Sequence, residues 1–247
     1  MKKNSAKKYK VVLTILLCIL LLAACSSSVS NSAKDDPSLP AQLRTPQQGD
    51  TIAVIETNRG TIKMMLFESQ APLACENFIS LAENGYYNNV TFHRVVKDFV
   101  AQTGDPTGTG RGGDSSFGEP FANEYSKKLH HYVGAVGMAN YETDKNTSQF
   151  YFVTGTTVSS NTIETMRELG YSEEVLAGYQ SSGGQPGLDF KYTVFGQVYE
   201  GLDVLDEINK VKTDGGDRPK KDITIESVTI SVFVDTEIDE NVEKTKL

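Results

Sequence analysis

Residues 92–105 read Phe92-His93-Arg94-Val95-Val96-Lys97-Asp98-Phe99-Val100-Ala101-Gln102-Thr103-Gly104-Asp105. Two short β-type runs, Thr91 to Val96 and Phe99 to Thr103, lie on either side of Lys97 and Asp98. Side chains alternate along a strand, so this spacing predicts Phe92 and Arg94 on one face and His93 on the other.

Working outward, the same short-strand character recurs. Ile52, Val54 and Ile55 lead into Thr57-Asn58-Arg59-Gly60, after which Ile62, Met64 and Leu66 alternate, which predicts a β-hairpin turning at Asn58 to Gly60. Further β-type runs are Ala135 to Ala139, Gln149 to Val153, Tyr192 to Val198 and Ile223 to Val234. Helical spacing occupies Ala71 to Asn84, with Pro72 at its start and Gly85 as its stop, and again Leu202 to Asn209. Many short strands with two helices predict a mainly β fold, an antiparallel sheet closed into a barrel whose open ends the helices cover. Thr162 to Gln180 interrupts this with helical spacing, and Ser181-Ser182-Gly183-Gly184 follows. It reads as a helical insertion at about 160–185 with a flexible exit, a surface addition more than a lid.

The two ends differ from this body. Met1 to Lys10 holds five lysines, Val11 to Ala24 is an apolar run too short for a comfortable membrane span, and Leu22-Ala23-Ala24-Cys25 follows. This order resembles a bacterial lipoprotein signal. The resemblance implies cleavage after residue 24, acylation of Cys25 and retention at the extracytoplasmic face of the cell membrane. Residues 25–50, rich in Ser, Pro, Gln and Asp, read as a flexible tether, residues 51–235 as the domain, and 236–247 as a polar tail. Cleavage would remove five of the 24 Lys+Arg and none of the 32 Asp+Glu, moving the formal charge from −8 to −13. Such an acidic body argues against nucleic acid and against direct binding to anionic lipid. Cys75, the one cysteine left in the body, has no partner for an internal disulfide and reads as a small core residue.

Familiar catalytic signatures are missing. There is no HExxH, no GxSxG and no GxxxxGK[ST], and the glycines of Gly104 to Gly113 have no helix pattern after them. The histidines are His93 and the adjacent pair His130 and His131, a poor metal set, so neither metal nor cofactor is expected.

The run from Phe92 to Asp105 is similar to the cyclophilin signature FHR(I/V)(I/V)xxFMxQGGD. Gly137-Met138-Ala139-Asn140, Asn146-Thr147-Ser148-Gln149-Phe150-Tyr151 and Leu188-Asp189-Phe190-Lys191-Tyr192-Thr193-Val194-Phe195-Gly196-Gln197-Val198 resemble three further elements of that family, in order. The resemblance runs from about Thr51 to Ile230, apart from the insertion. It implies an eight-stranded cyclophilin-like barrel capped by two helices, and peptidyl-prolyl cis-trans isomerase activity without a cofactor. By the same resemblance Arg94 and Gln102 are the catalytic pair, and Asn140 anchors peptide backbone. Gln149 orients Arg94 and Gln102, while Phe99, Val100, Ala139, Tyr151, Leu188 and Tyr192 make the substrate pocket. His93 supports the site from behind.

The chemistry suits these residue types. Turning an X-Pro bond breaks amide resonance against roughly 18–20 kcal/mol, so the uncatalysed step takes tens to hundreds of seconds. No nucleophile is needed. A permanently charged guanidinium that donates to the prolyl nitrogen as it loses conjugation lowers that barrier. Departures fall on the walls. Val100 stands for the family's usual Met, Tyr151 for Phe and Tyr192 for His, Thr103 and Tyr141 also differ, and Gly187 leaves open a position where eukaryotic members carry Trp. The last counts against cyclosporin sensitivity. The expectation is an isomerase acting on proline-containing unfolded or exported polypeptides. The alternative is a non-catalytic adhesion protein or holdase that uses the same groove or the insertion.

Overall fold

In the computed structural model, residues 40–155 and 157–235 are described. Residues 1–24, Cys25, most of the expected tether and the tail at 236–247 lie outside them.

One antiparallel sheet of eight strands organises the chain: β1 Thr51–Thr57, β2 Gly60–Leu66, β3 Arg94–Val96, β4 Val100–Thr103, β5 Ala135–Glu142, β6 Lys145–Val153, β7 Val194–Glu200 and β8 Ile225–Val232, in spatial order β3-β4-β6-β5-β7-β2-β1-β8. Among the described residues four helices accompany it: α1 Pro72–Glu83, α2 Ser160–Glu168, α3 Glu173–Ser182 and α4 Leu202–Asn209. The β1–β2 hairpin turns at Asn58 and Arg59, as the spacing predicts, with Thr57 opposite Gly60.

The expected closed barrel is instead an open, curled sheet. Edge strand β3 is only three residues long and does not pair with β8 along its length. The two edges meet at a single bridge, Thr91 with Thr224, and in a hydrogen bond from Phe92 N to Ile223 O (2.8 Å).

Strand alternation separates two apolar regions. Phe150 and Phe152 of β6 enter the main core with Phe78 of α1 and Phe195 of β7, and Phe78 meets Phe150 edge-on at 5.4 Å. Tyr151 and Val153 face the other way, into a second cluster with Val100, Ala139 and Val194. α1 packs on β6 and β8, and α4 on β2, β3 and β4. Cys75 is buried in the main core. Its thiol is pushed up to about 12, chiefly by burial, so it stays a thiol and behaves as a small apolar group.

Two readings of the sequence need correction. Residues 40–50 are not a tether: Gln42 is buried, its Nε2 donating to the carbonyl of His130 (2.8 Å) and to Gln197 Oε1 (3.0 Å) while its Oε1 accepts from His130 N (2.8 Å). Arg44 closes the segment with paired contacts to Asp50 at 2.5 and 3.0 Å. A polar side chain that satisfies a buried backbone donor and acceptor looks like linker in composition alone. Gln42→Ala strands both groups, so we expect a loss of about 1–3 kcal/mol in urea unfolding with little change in the slope.

The helical insertion consists of two helices, each capped by a serine: Thr162 N donates to Ser159 Oγ (3.1 Å) and Val175 N to Ser172 Oγ (3.3 Å). It has a buried cluster of its own, in which Ile163, Met166, Leu176 and Tyr179 pack with Tyr132. Nor is its exit loose. Gly184 is bridged to Tyr132, with φ +139°, and a Cβ there would collide with the carbonyl oxygen of His131. Glycine serves close approach here, not flexibility.

Candidate active site

Register brings the catalytic candidates together. Arg94 of β3 lies opposite Gln102 of β4, and Gln102 opposite Tyr151 of β6. These three border one hollow of about 130 Å³, whose other walls are Phe99, Val100, Ala139, Asn140, Leu188 and Tyr192. The expected pocket residues thus converge, except Gln149, which lies buried behind the polar edge.

That edge is a chain of hydrogen bonds that starts well away from the hollow. The Asp105 carboxylate is wrapped by its own loop, accepting from the backbone N–H groups of Thr107, Thr109, Gly110 and Gly112 and from the Thr107 hydroxyl. Burial works to raise this carboxyl, but the Thr107 hydroxyl and the converging N–H groups outweigh it and hold it at about 2. The glycine-rich stretch is therefore a built loop. It presents the Gly112 carbonyl to Gln149 Nε2 (2.7 Å), Gln149 Oε1 accepts from Gln102 Nε2 (2.9 Å), and Gln102 Oε1 meets Arg94 Nη1 in a long contact of 3.5 Å. On its far side Arg94 Nε approaches Asp217 Oδ2 at 3.7 Å. Among the described residues these contacts engage Nη1 and Nε, which leaves the Nη2 donors directed by a fixed plane but unspent. Asp217, on the loop before β8, gave no sequence signal as part of the site.

The walls are largely apolar, and Tyr151 adds a buried polar end. Tyr151 stands edge-on to Tyr192 at 6.1 Å, and a Cβ at Gly137 would come within 2.6 Å of its ring, so glycine there makes room for tyrosine. Burial, with the nearby Tyr192 and Asp189, keeps the Tyr151 hydroxyl well above its ordinary value and so protonated. Gly187, next to the Leu188 wall, lies in the turn Pro186–Leu188 with nothing within 4 Å of an added Cβ. Asn140 sits where the β5–β6 register shifts and donates to Asn123 Oδ1 (3.3 Å).

One expectation about β3 fails. Phe92 and Arg94 do not share a face: the strand begins only at Arg94, and Phe92 turns into the main core against Phe152 (6.0 Å between rings). His93 is buried, yet neither ring nitrogen has a hydrogen-bond partner among the described residues. Burial lowers its basicity, with Arg218 and Arg94 adding to the effect against Asp105. Any support it lends is by packing, under Gly110, not by hydrogen bonding.

A curled antiparallel sheet carries an apolar hollow beside a positioned guanidinium, which leaves room for an apolar ring next to a cation. The description "Cyclophilin type peptidyl-prolyl cis-trans isomerase/CLD" matches residues 52–230, and the chain belongs to that family of isomerases. It is 45% identical over 190 residues to a peptidyl-prolyl cis-trans isomerase of Staphylococcus saprophyticus, covering 76% of this chain and 96% of that one. Identity to a Staphylococcus aureus relative of the same name is 41% over 191 residues, 77% of this chain and 97% of the other. Among solved structures it is similar to a Cryptosporidium parvum cyclophilin-type isomerase (TM-score 0.60, 31% identity, 75% of this chain, 99% of that one). A second structure of that protein, determined in the presence of the dipeptide Ala-Pro, gives TM-score 0.59 and 32% identity, over 74% of this chain and 99% of that one.

Proposed function

We propose that this isomerase acts on X-Pro bonds of exported, unfolded polypeptides, held at the outer face of the membrane by acyl chains on Cys25. The observation that carries the catalytic part is the chain Gly112–Gln149–Gln102–Arg94 ending beside an apolar hollow of about 130 Å³. In this reading Phe99, Val100, Leu188, Tyr151 and Tyr192 hold the proline ring. Gln102 holds the carbonyl before the bond that turns, and Asn140 the adjoining backbone. As rotation breaks conjugation, the lone pair of the prolyl nitrogen localises on that atom, and Arg94 donates a hydrogen bond to it. The donor is oriented before the reaction, so no reorganisation is needed at the transition state. The relative studied with Ala-Pro supports this class of ligand. The lysine-rich start, apolar run and Leu22-Ala23-Ala24-Cys25 support the anchor.

Exchange spectroscopy on an Ala-Pro-containing peptide tests the first part, with interconversion expected to exceed the uncatalysed rate at micromolar protein. The anchor is tested in cells: wild type should take up a labelled fatty acid and sediment with membranes, and Cys25→Ala should do neither. An unlabelled wild-type protein would refute the anchor and leave the isomerase reading intact.

A further inference from the structure

Behind the Tyr151 wall lies a buried polar cluster that the catalytic chain does not use. Asp189, just after the Leu188 wall, is almost wholly enclosed and accepts four hydrogen bonds. Its Oδ1 takes His131 N and His131 Nδ1 (both 2.9 Å), and its Oδ2 takes His130 Nδ1 (2.9 Å) and the Tyr179 hydroxyl (2.8 Å). Because His131 Nδ1 faces the carboxylate, its Nε2 is the acceptor for the Tyr151 hydroxyl (2.9 Å). The His131 ring also lies nearly parallel to the Tyr151 ring, 6.1 Å away and 17° inclined. Tyr179 belongs to α3, so an unbroken series of bonds leads from the insertion to a ring that lines the hollow.

A phenylalanine would fill the wall with the same apolar area and bury no hydroxyl. The hydroxyl, with its bond to His131, fixes where the ring can stand. A reacting group displaced by ~1 Å can cost ~10²-fold in rate, so the position of this ring relative to Arg94 matters to turnover.

We propose that Tyr179, Asp189 and His131 form a positioning relay that holds the Tyr151 ring in the hollow, making the insertion a determinant of how accurately a substrate proline is seated. This rests on the reading of the hollow as the proline site.

The relay is tested with two substitutions at one position. His131→Asn keeps a donor toward Asp189 and loses the acceptor for Tyr151, whereas His131→Gln places a carboxamide near the lost Nε2. We expect His131→Asn to lower kcat/KM about tenfold and, because it strands the buried Tyr151 hydroxyl, to lower the melting temperature by several degrees while the protein stays folded at the assay temperature, and His131→Gln to recover most of the loss in kcat/KM. In a Tyr151→Phe background His131→Asn should then cause no further fall, since there is no hydroxyl left to hold. Tyr179→Phe should lower kcat/KM two- to threefold in the wild-type background and not in His131→Asn. Equal turnover of His131→Asn and wild type, or falls that simply multiply with Tyr151→Phe, would overturn the relay while a dead Arg94→Ala control left the site reading standing. A control as active as wild type would overturn both.

Discussion

Arg94→Ala is expected to lose roughly 10²–10³-fold in kcat/KM, the range for removing one preorganised donor from a transition state, equivalent to about 3–4 kcal/mol. Stability should hardly move. The Arg94 side chain is 38% exposed, and its contacts with Gln102 and Asp217 are long, so truncation removes little packing and strands no buried charge. Arg94→Lys should recover little. An ammonium keeps the charge but lacks the planar fork through which one face meets Gln102 and Asp217 while another points to substrate. Exchange rates on an Ala-Pro-containing peptide, read with near-ultraviolet circular dichroism, check both statements. A folded Arg94→Ala protein turning over within threefold of wild type would remove Arg94 from the reaction and leave the hollow as a binding site only.

The residues in this prediction were legible in the sequence because they lie in one short run. Arg94 and Gln102 sit eight positions apart on neighbouring antiparallel strands, and a hairpin of that size has few ways to pair. Tyr151 and Gln149 were legible as a pair because period-two alternation puts them on one face of β6. The same alternation misled at Phe92, where the chain is not yet strand and the core claims the ring. Long-range polar burial was illegible throughout. Gln42 reaches His130 across 88 residues and Asp189 reaches His131 across 58, and nothing in the composition of either segment reports such a pairing. The histidine pair was weighed only as a metal set, whereas its neighbours turn out to be a carboxylate and two phenols. The barrel was expected to close because short alternating strands imply a barrel. Closure depends on strand length at the edges, and β3 is too short to give β8 a ladder.

Asp189→Ala should damage the fold severely. The carboxylate is 1% exposed, and its loss leaves the Nδ1 donors of His130 and His131 and the Tyr179 hydroxyl without their acceptor in a closed interior, while the His131 backbone N–H keeps only its 3.1 Å contact with the Tyr179 oxygen. Breaking such a cluster from one side costs about 3–5 kcal/mol, which for a domain of this size lowers Tm by on the order of 10 °C. Asp189→Asn separates charge from shape. Burial alone would raise the Asp189 carboxyl, but the hydrogen bonds from His130 and His131, with the electrostatic influence of those rings, hold it down to about 2, below its ordinary 3.8. A carboxyl with a depressed folded-state value contributes stability that is complete above about pH 4 and disappears as pH falls toward 2. Its share is on the order of 2 kcal/mol. Wild type should therefore lose stability steeply between pH 4 and pH 2. Asp189→Asn should start lower and decline less across that window. It should not become flat, because Asp105, also held at about 2, titrates there too. Thermal melts of the two proteins from pH 2 to pH 7 decide the matter: parallel acid limbs would mean that the Asp189 charge does not stabilise the fold, and that the cluster behind Tyr151 holds by packing alone.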